Sequence, residues 1–146
     1  MFMDTVDIAP VALAATYAAP PELVFDAWIK PELVHKWLFI GPASEIINIE
    51  IDGRPGGKFF ILELEKTTRE YIDHYGKYLE IDPPRKLVFT LSVPKHFPGE
   101  TIVTILIEPH AGGCTLQLMQ TGVAKETTEG SWRTMLEQLR LTLENQ

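Results

Sequence analysis

Residues 126–144 read ETTEGSWRTMLEQLRLTLE, and this stretch decides which fold the rest of the chain can adopt. The apolar side chains recur at i, i+3, i+4, i+7 and i+11, at Trp132, Met135, Leu136, Leu139 and Leu143. This spacing predicts one amphipathic helix, roughly 28 Å long, with a single buried stripe. A glycine lowers helix stability, so we expect either close packing at Gly130 or a helix that begins at Ser131.

Upstream of this helix, the sequence predicts six strands in succession. Runs of β-branched and aromatic residues alternate with Gly- and Pro-rich turns. The predicted strands are Ile46–Ile51, Lys58–Glu65, Glu70–Ile81, Leu87–Val93, Thr101–Glu108 and Thr115–Thr121. The short connections predict an antiparallel meander. The turn Arg54-Pro55-Gly56-Gly57 lacks the Lys-Ser/Thr pair of a phosphate-binding loop. We therefore interpret it as a tight turn or bulge that needs a positive φ.

The N-terminal part of the chain predicts a further strand and two short helices. Val11–Ala18 forms the strand, and helices begin at Pro20-Pro21 and at Pro31, before Gly41-Pro42 ends the second one. The predicted fold is therefore α+β, in the order β-α-α-β6-α, with a curved seven-stranded antiparallel sheet around a long C-terminal helix. Surface scaling predicts a single domain over 1–146, with a core of about 11–145 and an N-terminal extension over 1–10.

Composition and charge exclude several classes of function. Thirteen basic and 20 acidic residues give a net charge of −7, which disfavours a nucleic-acid partner. The single cysteine, Cys114, excludes an internal disulfide framework and fits a cytoplasmic location. No apolar run is long enough to span a bilayer, and the first 17 residues make a poor signal peptide. The composition leaves a homodimer open.

Taken together, these segments resemble a known family. The matching stretches are Ala19–Trp28, Pro31–Leu33, Trp37, Gly41-Pro42, Arg54–Gly57, Gly76–Ile81, Pro83–Thr90, Val103–Ile105, Gly113–Leu116 and Trp132…Leu136…Leu139. They resemble the family of the C-terminal domain of the heat-shock protein 90 ATPase activator, in the START/birch-allergen-like (SRPBCC) superfamily. The resemblance covers about Ala15–Leu143 and implies the helix-grip fold. The superfamily includes lipid carriers, metabolite binders and polyketide cyclases.

A pocket between the curved sheet and the C-terminal helix is the predicted site, because a single helix does not fill such a concavity. The resemblance favours Phe59 and Ile61 facing inward, and strand alternation then places Glu63 on the same face. The residues predicted to line the ligand site are Trp37, Phe59, Ile61, Glu63, Tyr75, Phe89, Ile105, Leu118, Gln120, Trp132, Met135 and Leu139.

Some orientations stay open at the level of sequence. On the strand Glu70–Ile81, Tyr71, Asp73 and Tyr75 share one face, whereas Ile72, His74 and Tyr78 share the other, and both faces mix polar with apolar residues. Trp28 is expected in the core, whereas Trp37 and Trp132 fit either the core or a pocket wall.

The spacing of the histidines predicts no metal site, and no cofactor motif is present. Cys114 is expected to be a small packing residue rather than a nucleophile.

Three functions are consistent with this pattern. The first is a binding protein for a small hydrophobic molecule, apolar or aromatic, without a cofactor. The second is an enzyme of the cyclase, dehydratase or hydrolase kind that uses Glu63, His74 or Tyr75 as general acid or base. It requires at least two titratable side chains in one pocket. The third is a module that interacts with the chaperone heat-shock protein 90, which only the family resemblance implies.

Overall fold

The computed structural model describes residues 10–144, so the predicted N-terminal extension over 1–10 lies almost wholly outside the described residues. In chain order the elements are β1 (Val11–Tyr17), α1 (Pro21–Ile29), α2 (Pro31–Val34), β2 (Ser44–Ile51), β3 (Lys58–Glu65), β4 (Glu70–Asp82), β5 (Lys86–Leu91), β6 (Thr101–His110), β7 (Gly113–Thr121) and α3 (Lys125–Glu144). No helix within residues 10–144 has the length and apolarity needed to cross a membrane.

The seven strands form one antiparallel sheet in the order β1-β7-β6-β5-β4-β3-β2. Strands β2 to β6 are each paired with the next strand along the chain, and β1 lies at the edge beside β7. The predicted α+β class and helix-grip fold are confirmed: a curved sheet of seven strands is covered by one long helix, α3. The turn at Gly56 has a φ of 81°, as predicted for that position.

Strand alternation places the inward-facing residues as predicted. On β3, Phe59, Ile61 and Glu63 are buried. Across the hairpin of β6 and β7, Ile105 is paired with Leu118, and both side chains are buried. The concave side of the sheet is therefore lined by aliphatic and aromatic side chains, with Glu63 as an acidic exception.

The structure settles the orientation of β4. Ile72, His74 and Tyr78 are buried, whereas Tyr71 and Tyr75 are exposed on the opposite face. Buried and exposed side chains alternate with the two-residue period of a strand. Which of the two faces is buried is determined by packing against the rest of the protein.

Helix α1 and the turn that follows α2 fill the centre of the concavity with aromatic rings. Trp28 and Trp37 make an edge-to-face contact with centroids 4.6 Å apart, and Trp28 also contacts Phe89 and Trp132. The Trp37 indole Nε1 donates a hydrogen bond of 2.9 Å to the carbonyl of Ala27. Trp37, left open by the sequence, is thus a fully buried core residue.

Two glycines occupy opposite environments. A Cβ atom at Gly76, on β4, would lie 1.9 Å from the carbonyl oxygen of Thr90, so this position accepts only glycine without a backbone shift. At Gly130, no atom lies within 4 Å of the Cβ position, and α3 already begins at Lys125. Both explanations expected for Gly130, close packing and a late helix start, are therefore wrong.

These environments predict opposite effects for the same substitution. We expect Gly76→Ala to destabilise the protein by about 2 kcal/mol or more, since an added methyl group would overlap a backbone carbonyl. We expect Gly130→Ala to stabilise it by up to about 1 kcal/mol, because alanine loses less backbone entropy in a helix. Urea unfolding of both variants measures the two free energies. A Gly76→Ala variant as stable as the parent would contradict the described approach of β5 to β4.

Candidate functional site

A cavity of about 560 Å³ lies under the first half of α3 and opens to solvent. Its walls come from α3, from β3, β4 and β7, from the loop between β5 and β6, and from the segment after α2. The apolar lining residues include Phe39, Ile40, Leu91, Val93, Phe97, Val123, Trp132 and Met135. The polar lining residues include Glu63, His74, His96, Gln120, Thr127, Thr128, Ser131 and Thr134.

A buried carboxylate–imidazole pair forms part of the wall. His74 Nε2 lies 2.9 Å from Glu63 Oε1, and only 4% of His74 and 8% of Glu63 are exposed. The two residues come from adjacent strands, β4 and β3, on the same inward face. The second carboxylate oxygen, Glu63 Oε2, accepts no hydrogen bond from another described residue. Oε2 is not an enclosed atom either. Since Glu63 lines the cavity, this oxygen keeps contact with the open space there.

Burial controls the protonation of His74. Loss of solvent around the imidazole lowers the pKa of His74 below its ordinary value of 6.5, and this effect outweighs the opposite effect of the Glu63 hydrogen bond. His74 is therefore neutral at pH 7. Its Nε2–H group donates a hydrogen bond to the carboxylate of Glu63. The other ring nitrogen, Nδ1, is enclosed and has no hydrogen-bond partner among the described residues.

A second buried network joins α3 to the sheet beside this pair. The Trp132 indole Nε1 donates to Gln120 Oε1 at 2.7 Å, and Gln120 Nε2 donates to Thr101 Oγ1 at 3.0 Å. The Thr101 hydroxyl in turn donates to the carbonyl of Leu91 at 2.8 Å. The amide oxygen and nitrogen of Gln120 are both bonded within the protein. Gln120 therefore holds the Trp132 side of the cavity in place.

Phe39 covers the imidazole of His74 and is held in a strained backbone conformation. The two rings are stacked, with centroids 4.1 Å apart and planes 12° apart. Phe39 has a φ of 62°, which is rare for a bulky residue and costs about 1–3 kcal/mol. Its backbone N–H donates to the thioether of Met135 at 3.1 Å, so α3 contributes to holding this conformation.

The structure brings only part of the predicted ligand-site residues to this cavity. Glu63, Gln120, Trp132 and Met135 line it. Phe59, Ile61 and Phe89 surround a separate void of about 10 Å³, which is at most large enough for one water molecule. The remaining buried residues line neither space: Trp37, Ile105, Leu118 and Leu139.

Tyr75 lies outside the cavity as well. It is 42% exposed on the convex face of the sheet, so its hydroxyl does not reach the concave side. The inward-facing residues of the set lie outside the cavity for a different reason: aromatic side chains of α1 and of the turn after α2 fill the centre of the concavity. The open space that remains lies at one end, under the first turns of α3.

Several lining residues were missed by sequence reasoning. Phe39 and Phe97 lie in connecting segments, where no strand or helix period predicts the direction of a side chain. His96, expected to be solvated, is exposed and also lies at the cavity wall. The Gly41-Pro42 and Pro94–Gly99 segments were identified as loops, but nothing in their composition indicates that they approach each other in space.

The remaining reactive groups lie away from this cavity. Cys114 is fully buried, and burial raises the pKa of its thiol, which makes it a poor nucleophile. The Tyr17 hydroxyl donates to the carbonyl of Leu136 on α3, and burial raises the pKa of Tyr17. Within residues 10–144, no three His, Cys, Asp or Glu side chains are grouped so that they could hold a metal ion.

Comparison with known proteins agrees with this fold. The model of the family described as activator of Hsp90 ATPase homolog 1-like protein matches residues 18–144. A crystal structure of a protein from Chromobacterium violaceum superposes with a TM-score of 0.86 at 28% identity, covering 92% of this chain and 96% of that one. Comparison with curated proteins gave no match.

Two more distant structures support the fold alone. A protein from Nitrosomonas europaea has a TM-score of 0.80 at 21% identity and covers 98% of this chain and 99% of its own. An AHSA1-like protein from Aeromonas hydrophila, solved by solution NMR, has a TM-score of 0.82 at 17% identity and covers 93% of this chain and 92% of its own.

The buried His74 predicts a pH-dependent stability. Its pKa is depressed in the folded state, so the unfolded state binds a proton first as the pH falls below 6.5, and the folded state loses stability in that direction. This contribution amounts to at most about 1.4 kcal/mol between pH 7.5 and pH 5.5. Urea unfolding at both pH values should show a smaller fall for His74→Gln than for the parent.

Substitution of an exposed histidine provides the control for this measurement. His110→Gln removes a titratable ring at the β6–β7 turn, outside the cavity. We expect it to keep the full pH dependence of the parent. An equal fall in stability for the parent and His74→Gln would show that His74 is not neutralised by burial.

Proposed function

The chain belongs to the activator of Hsp90 ATPase homolog 1-like family, and from that premise we propose that it binds a small hydrophobic molecule under the first half of α3. The observation that carries the proposal is the open cavity of about 560 Å³, a volume within the range of ligand sites in proteins. Aromatic and aliphatic walls surround a few polar groups at fixed positions. A cytoplasmic location, suggested by the single cysteine, belongs to the same proposal.

The lining supports binding because its rigid and adaptable parts are separate. Trp132 is fixed through Gln120, and Glu63 is fixed through His74. Met135 is half-buried and, although its thioether accepts a hydrogen bond from the Phe39 N–H, its unbranched side chain is of the kind that adapts to the shape of a ligand. Phe97 contributes a further aromatic ring to the lining from the loop between β5 and β6.

A second candidate function is favoured by one observation. Glu63 and His74 line the same cavity and lie 2.9 Å apart, which is the arrangement of a carboxylate held in position by a neighbouring ring. An enzyme of the cyclase, dehydratase or hydrolase kind would use Glu63 as the group that accepts a proton from its substrate.

Mass spectrometry of each ligand after incubation distinguishes the two functions: recovery of every ligand unchanged supports binding alone. Conversion by the parent and not by Glu63→Gln supports the enzyme.

Filling the cavity is expected to abolish ligand binding. Ser131, on α3, lines the cavity, so we expect Ser131→Trp to occupy its space. In a thermal-shift screen of apolar and aromatic compounds, a ligand at 100 times its Kd should stabilise the parent by about 2.7 kcal/mol. That corresponds to a rise in Tm of about 5 °C or more. The same ligand should leave the Tm of Ser131→Trp unchanged.

A matched substitution on the same helix controls for the added indole. Arg133 is exposed on α3 and does not line the cavity, so Arg133→Trp should keep the ligand-induced rise in Tm. Equal rises in the parent, Ser131→Trp and Arg133→Trp would place binding elsewhere and overturn the proposal. The absence of any stabilising compound in the whole screen would overturn it too.

A further inference from the structure

We infer that the ligand of this cavity carries a protonated amine on an apolar or aromatic body, and that the amine binds Glu63 Oε2. The inference rests on the proposed function and deepens it by naming the chemical class of the ligand. Four observations support it. They are the charges of the lining residues, the Glu63 oxygen that accepts no hydrogen bond, the hydrogen bonds that Gln120 already makes within the protein, and the aromatic walls.

The charges that line the cavity have one sign. Glu63 is the only acidic residue among the described lining residues, and neither lysine nor arginine is present there. An anionic ligand would therefore meet a carboxylate and find no cationic side chain to pair with. A cationic ligand would find its counter-ion already in place. The net charge of −7 on the whole chain also attracts cations toward the protein.

The carboxylate of Glu63 is fixed in position by one hydrogen bond, and its second oxygen is available to bind a ligand. His74 Nε2 occupies Oε1, and Oε2 accepts no hydrogen bond from any described residue while keeping contact with the cavity. Because His74 is neutral, it fixes the position of the carboxylate without cancelling its charge. A charge so poorly solvated gains most from a donor that is itself charged, since charge-assisted hydrogen bonds are roughly twice as strong as neutral ones.

The other buried polar group of the wall is already in use. Gln120 accepts from Trp132 and donates to Thr101, so its amide is committed to the protein. The hydroxyls of Ser131 and Thr134 donate back to carbonyls of their own helix, Thr127 and Gly130. His96, Thr127 and Thr128 also offer polar groups to the cavity, but among the described lining residues only Glu63 offers a negatively charged one.

The aromatic walls fit a cation and an apolar body together. Phe39, Phe97 and Trp132 line the cavity, and Phe39 is stacked on the ring of His74. The face of an aromatic ring attracts an ammonium group within about 6 Å of its centroid. The same faces bury the flat hydrocarbon part of a ligand, so one wall serves both parts of an arylalkyl amine.

Three compounds with one shared body test this inference. Tryptamine, tryptophol and indole-3-acetic acid carry an amine, an alcohol and a carboxylate on the same indole frame. By isothermal titration calorimetry at pH 7.5, we expect tryptamine to bind the parent at least about tenfold more tightly than tryptophol, and indole-3-acetic acid to bind most weakly. Equal binding of the amine and the alcohol, or tighter binding of the acid, would overturn the inference.

Two variants locate the amine preference. Glu63→Gln keeps the size of the side chain and the hydrogen bond from His74 but removes the charge, so the amine and the alcohol should bind it equally. Glu108→Gln removes one charge at an exposed position of β6 and should keep the tenfold preference. A preference unchanged in Glu63→Gln would overturn the inference. If Glu63→Gln does not fold, the ranking of the three compounds on the parent decides alone.

The outcomes also separate this inference from the proposed function. If none of the indole compounds binds, but an uncharged compound from the thermal-shift screen stabilises the parent and not Ser131→Trp, then the cavity binds ligands and the amine inference is wrong. If no compound of either set binds, the proposed function fails and the inference fails with it.

Discussion

The hydrogen bond from the Trp132 indole to Gln120 joins the long helix α3 to the sheet at the point where the packed core ends and the cavity begins. On one side of it, Trp28 and Trp37 fill the concavity with rings in contact. On the other side, the wall includes polar groups among its apolar side chains, and the space is open. Breaking this bond would leave a buried indole N–H and the buried amide oxygen of Gln120 without partners, at a cost of about 1–3 kcal/mol for each group. The cavity therefore depends on a polar contact rather than on apolar packing alone.

The parts of the fold that could be predicted from the sequence are those with a regular period. The inward positions of Phe59, Ile61 and Glu63 follow from strand alternation and the resemblance, and the buried stripe of α3 follows from its helical spacing. The direction of β4 could not be predicted, since both faces of that strand mix polar with apolar residues. On the buried face of β4, His74 is paired with Glu63 of the neighbouring strand and is covered by the ring of Phe39 from the segment after α2, and neither contact follows from a periodic pattern.

The candidate site was predicted only in part, because a cavity is the space that packing leaves open. Sequence reasoning placed the ligand between the curved sheet and the C-terminal helix, whereas Trp28, Trp37 and Phe89 are buried core residues in the structure. Whether a tryptophan fills a concavity or lines it depends on how α1 and α2 are seated, and no periodic pattern encodes that. Phe39 illustrates the same limit: its positive φ turns the ring onto His74, although the sequence around Gly41 indicates only a loop.

The arrangement of Glu63 and His74 also bears on the choice between binding and catalysis. Of the two partners, only Glu63 offers the cavity an oxygen that lacks a hydrogen bond, because His74 Nε2 is bonded to Oε1 and Nδ1 is enclosed. Although the His74 ring lines the cavity, both of its nitrogens are turned away from a ligand, since Nε2 is bonded to Glu63 and Nδ1 is enclosed, so His74 positions the carboxylate. A reaction that moves a proton on and off its substrate commonly needs two groups within reach of the reacting atoms. One fixed carboxylate between aromatic walls meets the simpler requirement of holding a cation.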